Sequence, residues 1–170
     1  MSTESFPRRL LKSATRFAAY VVMPKFTTGA LVVARDGRRV VLVRKRSSPI
    51  EWGFPAGYLF YRESILDTAR RELAEETGLS AEVTTAHHVR SHRQPWMMHI
   101  DHVFLVHASG EPHTRDAIEI AETAWFDVDD LPPLAREARL ALEQIPDLLT
   151  RPIAGADACD YSNRDGSPAP

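Results

Sequence analysis

GYLFYRESILDTARRELAEETGL, residues 57–79, sets the problem that the rest of the chain must solve. Ser64 has the character of a helix N-cap, Asp67 follows three residues on as in a capping box, and Gly78 stands where a left-handed C-cap is wanted. These signals predict a helix over 65–77. On it, Glu72, Glu75 and Glu76 are separated by helical steps of three and four. Their carboxylates therefore share one surface and repel, at about 0.2–0.5 kcal/mol per pair in an isolated helix. Two arrangements relieve that repulsion: a solvated acidic face answered by Arg70 and Arg71, or a bound divalent cation. Leu66, Ala69 and Leu73 form an apolar stripe, and the acids lie about 100° round from it. The helix can pack on a sheet and still turn its carboxylates sideways into a cleft.

Upstream, TTGALVVARDGRRVVLVRKR (27–46) reads as two β-branched runs joined at Asp36-Gly37, a dipeptide suited to a tight hairpin. Residues 47–63 interleave Ser, Pro and Gly with Trp52, Phe54, Tyr58, Phe60 and Tyr61, the chemistry of a loop that contacts ligands. Downstream, strand-like segments fall near 82–90, 96–108 and 123–128. A last helix is predicted from Pro132-Pro133 through LAREARLALEQIPDLL (134–149), striped by Leu134, Ala138, Ala141, Leu142 and Ile145. This order predicts one α/β domain over 26–150. Residues 1–25 form a basic amphipathic segment, with Arg8, Arg9, Lys12 and Arg16 ahead of FAAYVVM (17–23), expected to dock on the domain or on a second subunit. Residues 151–170, rich in Ala, Gly, Asp, Ser and Pro, are expected to be disordered.

With 170 residues, 44% hydrophobic and 26% charged, the chain has the make-up of one soluble domain with a core. A formal net charge of -2 supplies no broad basic field, which argues against nucleic acid as the main partner. No apolar run approaches a membrane span, because FAAYVVM stops at Pro24. The single cysteine, Cys159, can form neither an internal disulfide nor a cysteine-rich zinc site, and points to a reducing, cytoplasmic compartment. In HIDH (99–102), strand alternation would put His99 and Asp101 on one face and His102 on the other, poor geometry for one metal.

Residues 57–79 also resemble the signature of the Nudix hydrolases: Gly, five residues, Glu, seven residues, then Arg-Glu-aliphatic-any-Glu-Glu-any-Gly-aliphatic. Gly57, Glu63, Arg71, Glu72, Leu73, Glu75, Glu76, Gly78 and Leu79 fill every specified place. The hairpin before, the strands after, AWFDVDDLPP (124–133) and the final helix extend the resemblance over about 27–149. The resemblance implies an α/β/α sandwich with a mixed sheet between helices. It implies Mg2+, with Mn2+ as a substitute, held by Glu72, Glu75, Glu76 and the carbonyl of Ala56. Gly57 and Glu63 would support that cluster. Glu72, Arg71 and Glu119 would carry catalysis; Glu119 would be the base for the attacking water, with Glu111 and Glu122 as competitors.

FPAG (54–57) and Pro95, sixteen residues after Leu79, resemble features of ADP-ribose pyrophosphatases. RQPW (93–96) partly resembles the NADH pyrophosphatases, but Met97, Met98 and the missing cysteine zinc site depart from them. The implied reaction is metal-dependent cleavage of a nucleoside diphosphate linked to another moiety, such as ADP-ribose or a nucleotide sugar. NADH, noncanonical nucleoside triphosphates and non-catalytic nucleotide sensing are the alternatives. Trp52, Arg44, Arg46 and Arg93 are candidate substrate contacts, with Arg90 a further phosphate candidate. Arg62 replaces a frequent Gly before Glu63. Family members are often dimers, and the N-terminal segment could serve as a swapped arm.

Overall fold

Alternation along the first two strands sorts the core into two layers. The computed structural model describes residues 26–83, 86–93 and 97–153. The expectations for residues 1–25, for Pro95, and for the tail from 154 onward, with Cys159, lie outside them. Strand β1 (Phe26–Asp36) turns at Gly37, φ 58°, into β2 (Arg39–Lys45). Even-numbered Ala30, Val32 and Ala34 face one layer, while odd-numbered Leu31 and Val33 face the other.

β1 also pairs in parallel with β5 (Met98–His107), from Phe26 opposite Met98 to Arg35 opposite His107. β4 (His88–Arg93) runs antiparallel to β5, and β6 (Ile120–Asp127) antiparallel to β2. A three-residue strand, β3 (Ala56–Tyr58), pairs with Gly29–Leu31 of β1. The mixed sheet runs β4-β5-β1-β2-β6, with β3 attached to β1. Helix α1 (Ile65–Thr77) sets Ala69 and Leu73 against one face, and α2 (Arg136–Gln144) sets Ala138 and Ala141 against the other. The predicted sandwich of a mixed sheet between helices is the observed one. No helix among the described residues is long and apolar enough to cross a membrane.

Helix α1 begins and ends where its local signals place it. The amide of Asp67 donates to Ser64 Oγ at 3.1 Å, and Gly78 adopts φ 69° with its amide bonded to the Ala74 carbonyl at 3.0 Å. A Cβ at Gly78 would lie 2.5 Å from His113 Cε1. Gly78→Ala is therefore expected to destabilise by about 1–2 kcal/mol from the left-handed backbone alone, and more with the His113 clash. A urea midpoint at wild-type level would refute this.

Several boundaries differ from the sequence reading: the stretch expected as a loop over 47–63 contains β3, and β6 begins at Ile120, ahead of the expected 123. The segment near 82–90 becomes a strand only at His88–Arg93; Val83 is fully buried but pairs with no strand among the described residues, so its apolar character serves the core instead. The last helix starts later than predicted, at Arg136 after an Ala135 N-cap with no side-chain bond, and stops before Pro146, which has no amide to continue it. Leu148 still reaches the core through the turns that follow, at 0% exposure.

Candidate active site

Packing of α1 against the sheet drives two of its acids inward. Glu72 and Glu76 are 7% and 3% exposed, while Glu75 stays exposed. The Ala56 amide donates to Glu76 Oε2 at 3.0 Å, tying β3 to the helix. Gly57 completes that contact: a Cβ there would overlap the Glu72 carboxylate. Lys45, at the end of β2, places Nζ 3.4 Å from Glu76 Oε1 and 2.5 Å from Glu119 Oε1. Glu119 is held just before β6 by its own amide, which donates to Asp116 Oδ1 at 3.1 Å. Residues far apart in sequence thus meet around one ammonium.

Arg71 organises the other side. Its Nε and Nη2 clasp Glu63 at 2.8 and 3.0 Å, Nη1 reaches Glu72 at 2.5 Å and Glu75 at 3.2 Å, and Nη2 also donates to the Tyr58 carbonyl at 3.0 Å. The guanidinium lies 4.3 Å from the centre of the Phe60 ring. Thr68 Oγ1 donates to Glu63 at 3.0 Å from within the helix. A planar fork is the group that can satisfy three carboxylates at once.

The electrostatics separate the acids. The Arg71 guanidinium holds the Glu63 carboxyl down at about 2. Burial pushes Glu76 up to about 7, against the pull of Lys45 and the Ala56 amide, and raises Glu72 despite Arg71. Burial also works against the Lys45 ammonium, but Glu76 and Glu119 outweigh it and its pKa rises.

Two inward carboxylates whose charge Arg71 and Lys45 only partly offset, in an all-oxygen donor set, suit a hard divalent cation. Among the described residues, no three carboxylate, imidazole or thiol side chains already converge as a metal site. Arg71 and Lys45 stand between the acids, so a cation would have to displace those contacts. Gly57→Ala is expected to push the Glu72 carboxylate aside and lower turnover by about a hundredfold, since displacements near 1 Å have effects of that order. Unchanged kcat in a folded Gly57→Ala protein would show that the close approach has no catalytic use.

The structure brings Glu63, Arg71, Glu72, Glu75, Glu76, Glu119, Ala56 and Gly57 into one neighbourhood. The side chains of three of the four substrate candidates are engaged elsewhere. Trp52 is buried in the α2-side layer, edge-on to Phe126 at 4.8 Å. Arg44 pairs with Glu122 at 2.7 Å and Arg46 donates to the Ala117 carbonyl at 2.8 Å. Arg93 ends β4 exposed, while Arg90, on the opposite face of that strand, is buried. Glu111 sits on the exposed loop before β6. Arg62 is exposed with φ 70°, a left-handed backbone that accounts for Gly being usual at that place. Lys45 was missed by sequence reasoning: it is the last residue of β2, where the register with β6 shifts, and its partners Glu76 and Glu119 come from other elements.

The chain resembles known proteins in sequence and in fold. The family model described as the NUDIX domain matches residues 23–148. A Bacillus subtilis (strain 168) protein provisionally named an 8-oxo-dGTP diphosphatase is 29% identical over 108 residues, 63% of this chain and 70% of that protein. The mouse mitochondrial NAD(P)H pyrophosphatase NUDT13 is 30% identical over 129 residues, 72% of this chain but 36% of that protein. The chain thus spans about a third of the mouse relative. The crystal structure of a MutT NUDIX hydrolase from Burkholderia pseudomallei superposes with a TM-score of 0.63 at 29% identity, covering 71% of this chain and 98% of that one.

Proposed function

The chain belongs to the Nudix family of pyrophosphohydrolases, and from that premise we propose that it hydrolyses, with Mg2+, the diphosphate bond of a nucleoside diphosphate linked to another moiety. ADP-ribose and nucleotide sugars exemplify the class; the products are a nucleoside monophosphate and a phosphorylated remainder. The observation that carries this reading is the meeting of Glu76 and Glu119 at Lys45, with Glu72 packed against Gly57 of β3.

Glu72, Glu75, Glu76 and the Ala56 carbonyl would hold the cation, which when bound neutralises phosphate charge and makes water a better nucleophile. Arg71 fixes the orientation of Glu72 while Glu63 fixes Arg71. Lys45 is placed to turn from Glu76 toward a substrate phosphate as the acids are taken up. Glu119 would accept a proton from attacking water; its approach to Lys45 from a separate segment supports that role.

A product-resolved screen with Mg2+ over ADP-ribose, nucleotide sugars, NADH and nucleoside triphosphates tests the proposal. Release of a nucleoside monophosphate from the diphosphate derivatives is expected. Pyrophosphate as the main product would point instead to triphosphates, and saturable binding without turnover would overturn the reading.

A further inference from the structure

Glu119 rides on a short turn that no apolar contact holds in place. Ala117, Ile118 and Glu119 are all exposed, and Ile118 keeps 91% of its surface open to solvent. A turn that buries so little has hydrogen bonds to oppose the entropy of ordering its backbone. Those bonds converge on Asp116. Its Oδ1 accepts the amides of Ile118 and Glu119, each at 3.1 Å, and its carbonyl accepts the Ile120 amide at 2.9 Å. One residue thus closes the turn twice, its side chain capping the first amides and its carbonyl taking the amide four residues on.

Two neighbours set this turn against the acids. The last carbonyls of a helix lack intrahelical partners. At the end of α1, the Glu75 carbonyl accepts the amides of Arg115 and Asp116 at 2.8 and 3.0 Å, and the Thr77 carbonyl accepts that of His113 at 2.8 Å. From the end of β2, Arg46 donates its amide to the Glu119 carbonyl and its Nε to the Ala117 carbonyl, both at 2.8 Å. The turn is therefore hung between the helix that carries the acids and the strand that carries Lys45. Regular strand pairing does not place Glu119, because the register jumps from Arg44 opposite Glu122 to Lys45 opposite Ile120. The outcome is a Glu119 carboxylate that is 53% exposed yet brought to 2.5 Å from Lys45 Nζ.

We propose that Asp116 is a positioning residue for the hydrolytic reaction, holding the turn so that the Glu119 carboxylate meets the attacking water beside the acids of α1. The inference rests on the reading of Glu119 as the base. Asp116 acts through the amide of Glu119, so its loss displaces the base without removing it. That predicts a fall in kcat with little change in KM, and no further fall once the base itself is gone.

Hydrogen exchange and kinetics on the full chain test the two halves separately. By NMR without substrate, Asp116→Ala is expected to speed exchange at Ile118 and Glu119 about fivefold or more, the usual weight of a lost capping side chain, with the amides of α1 unchanged. With Mg2+ and whichever of ADP-ribose and the nucleotide sugars is cleaved fastest, Asp116→Ala should lower kcat about ten- to a hundredfold and leave KM within about twofold. Asp116→Asn keeps Oδ1 as acceptor of both amides and should stay within about twofold of wild type, since Asn caps as well as Asp. Glu119→Gln alone should cost about a hundredfold or more, and Asp116→Ala added to it nothing further, whereas a loss of general stability would subtract equally in both backgrounds. Unaltered exchange in the turn, wild-type kcat in Asp116→Ala, a full additional loss on top of Glu119→Gln, or an Asn variant as slow as the Ala variant would overturn the proposal. Wild-type turnover by Glu119→Gln would remove the base from Glu119 and this inference with it, while metal-dependent hydrolysis stood. A chain inert toward every diphosphate derivative would sink the hydrolase reading itself, and faster exchange in Asp116→Ala would then leave Asp116 a structural cap only.

Discussion

Glu76→Gln is expected to lower kcat by about a thousandfold or more, equivalent to about 4 kcal/mol in the barrier, while the protein remains folded. Gln keeps a carbonyl that can accept the Ala56 amide now bonded to Glu76 at 3.0 Å, and Lys45 keeps Glu119. What disappears is the buried negative charge on which divalent-cation uptake is expected to depend. Steady-state kinetics alongside a cation titration check this, and a fully active Glu76→Gln protein would rule out the metal role given to that residue.

The same substitution has an opposite signature in stability. Burial raises the Glu76 pKa from 4.5 to about 7, so without metal the folded chain binds that proton more tightly than the unfolded chain does. Stability linked to this group is full below pH 4.5 and declines as pH rises to about 7, by about 3 kcal/mol. Glu76→Gln removes that slope. In EDTA, the difference in urea-derived stability between variant and wild type should move in favour of the variant from pH 4.5 to 7.5. A difference independent of pH would mean that Glu76 titrates normally. Loss of activity joined to gain of metal-free stability marks a residue kept for chemistry rather than for folding.

Helix α1 was legible because its signals are local: the Ser64 cap reaches three residues, the Gly78 cap four, and the Leu66, Ala69, Leu73 stripe repeats within the helix. The hairpin at Asp36-Gly37 was legible for the same reason. The acids of α1 were recognisable as a set, but their partners were not. Lys45 meets Glu119 across 74 residues, and Arg90 meets Asp101 only through the antiparallel register of β4 and β5. Such pairings depend on strand order, which periodicity within one segment does not encode. Trp52 shows the reverse error. An aromatic in a Pro- and Gly-rich loop suggests stacking on ligand, but pairing of residues 52 and 53 with Leu134 and Val43 draws that loop into the core and buries the indole. The His99–Asp101 alternation was readable; the buried arginine beneath it was not.

Arg71→Ala is expected to destabilise by about 2–4 kcal/mol, since breaking a largely buried ion network leaves uncompensated charge, and to abolish measurable turnover. Removing the fork leaves Glu63 and Glu72, whose side chains are 15% and 9% exposed, without their principal cation. Arg71→Lys restores the charge but cannot span Glu63, Glu72 and the Tyr58 carbonyl together, so it should recover much of the stability and little of the activity. That split between folding and kcat is the readout of an orienting role; parallel recovery of both would reduce Arg71 to a counter-ion. The pH dependence supplies an independent check. Arg71 lowers Glu63 from 4.5 to about 2, so the stabilisation from that pair is full above pH 4.5 and is lost as pH falls through about 2. The stability gap between wild type and Arg71→Ala should therefore narrow on acidification. In a double-mutant cycle with Glu63→Gln, the two losses should fall well short of adding, because either substitution alone breaks the same clasp.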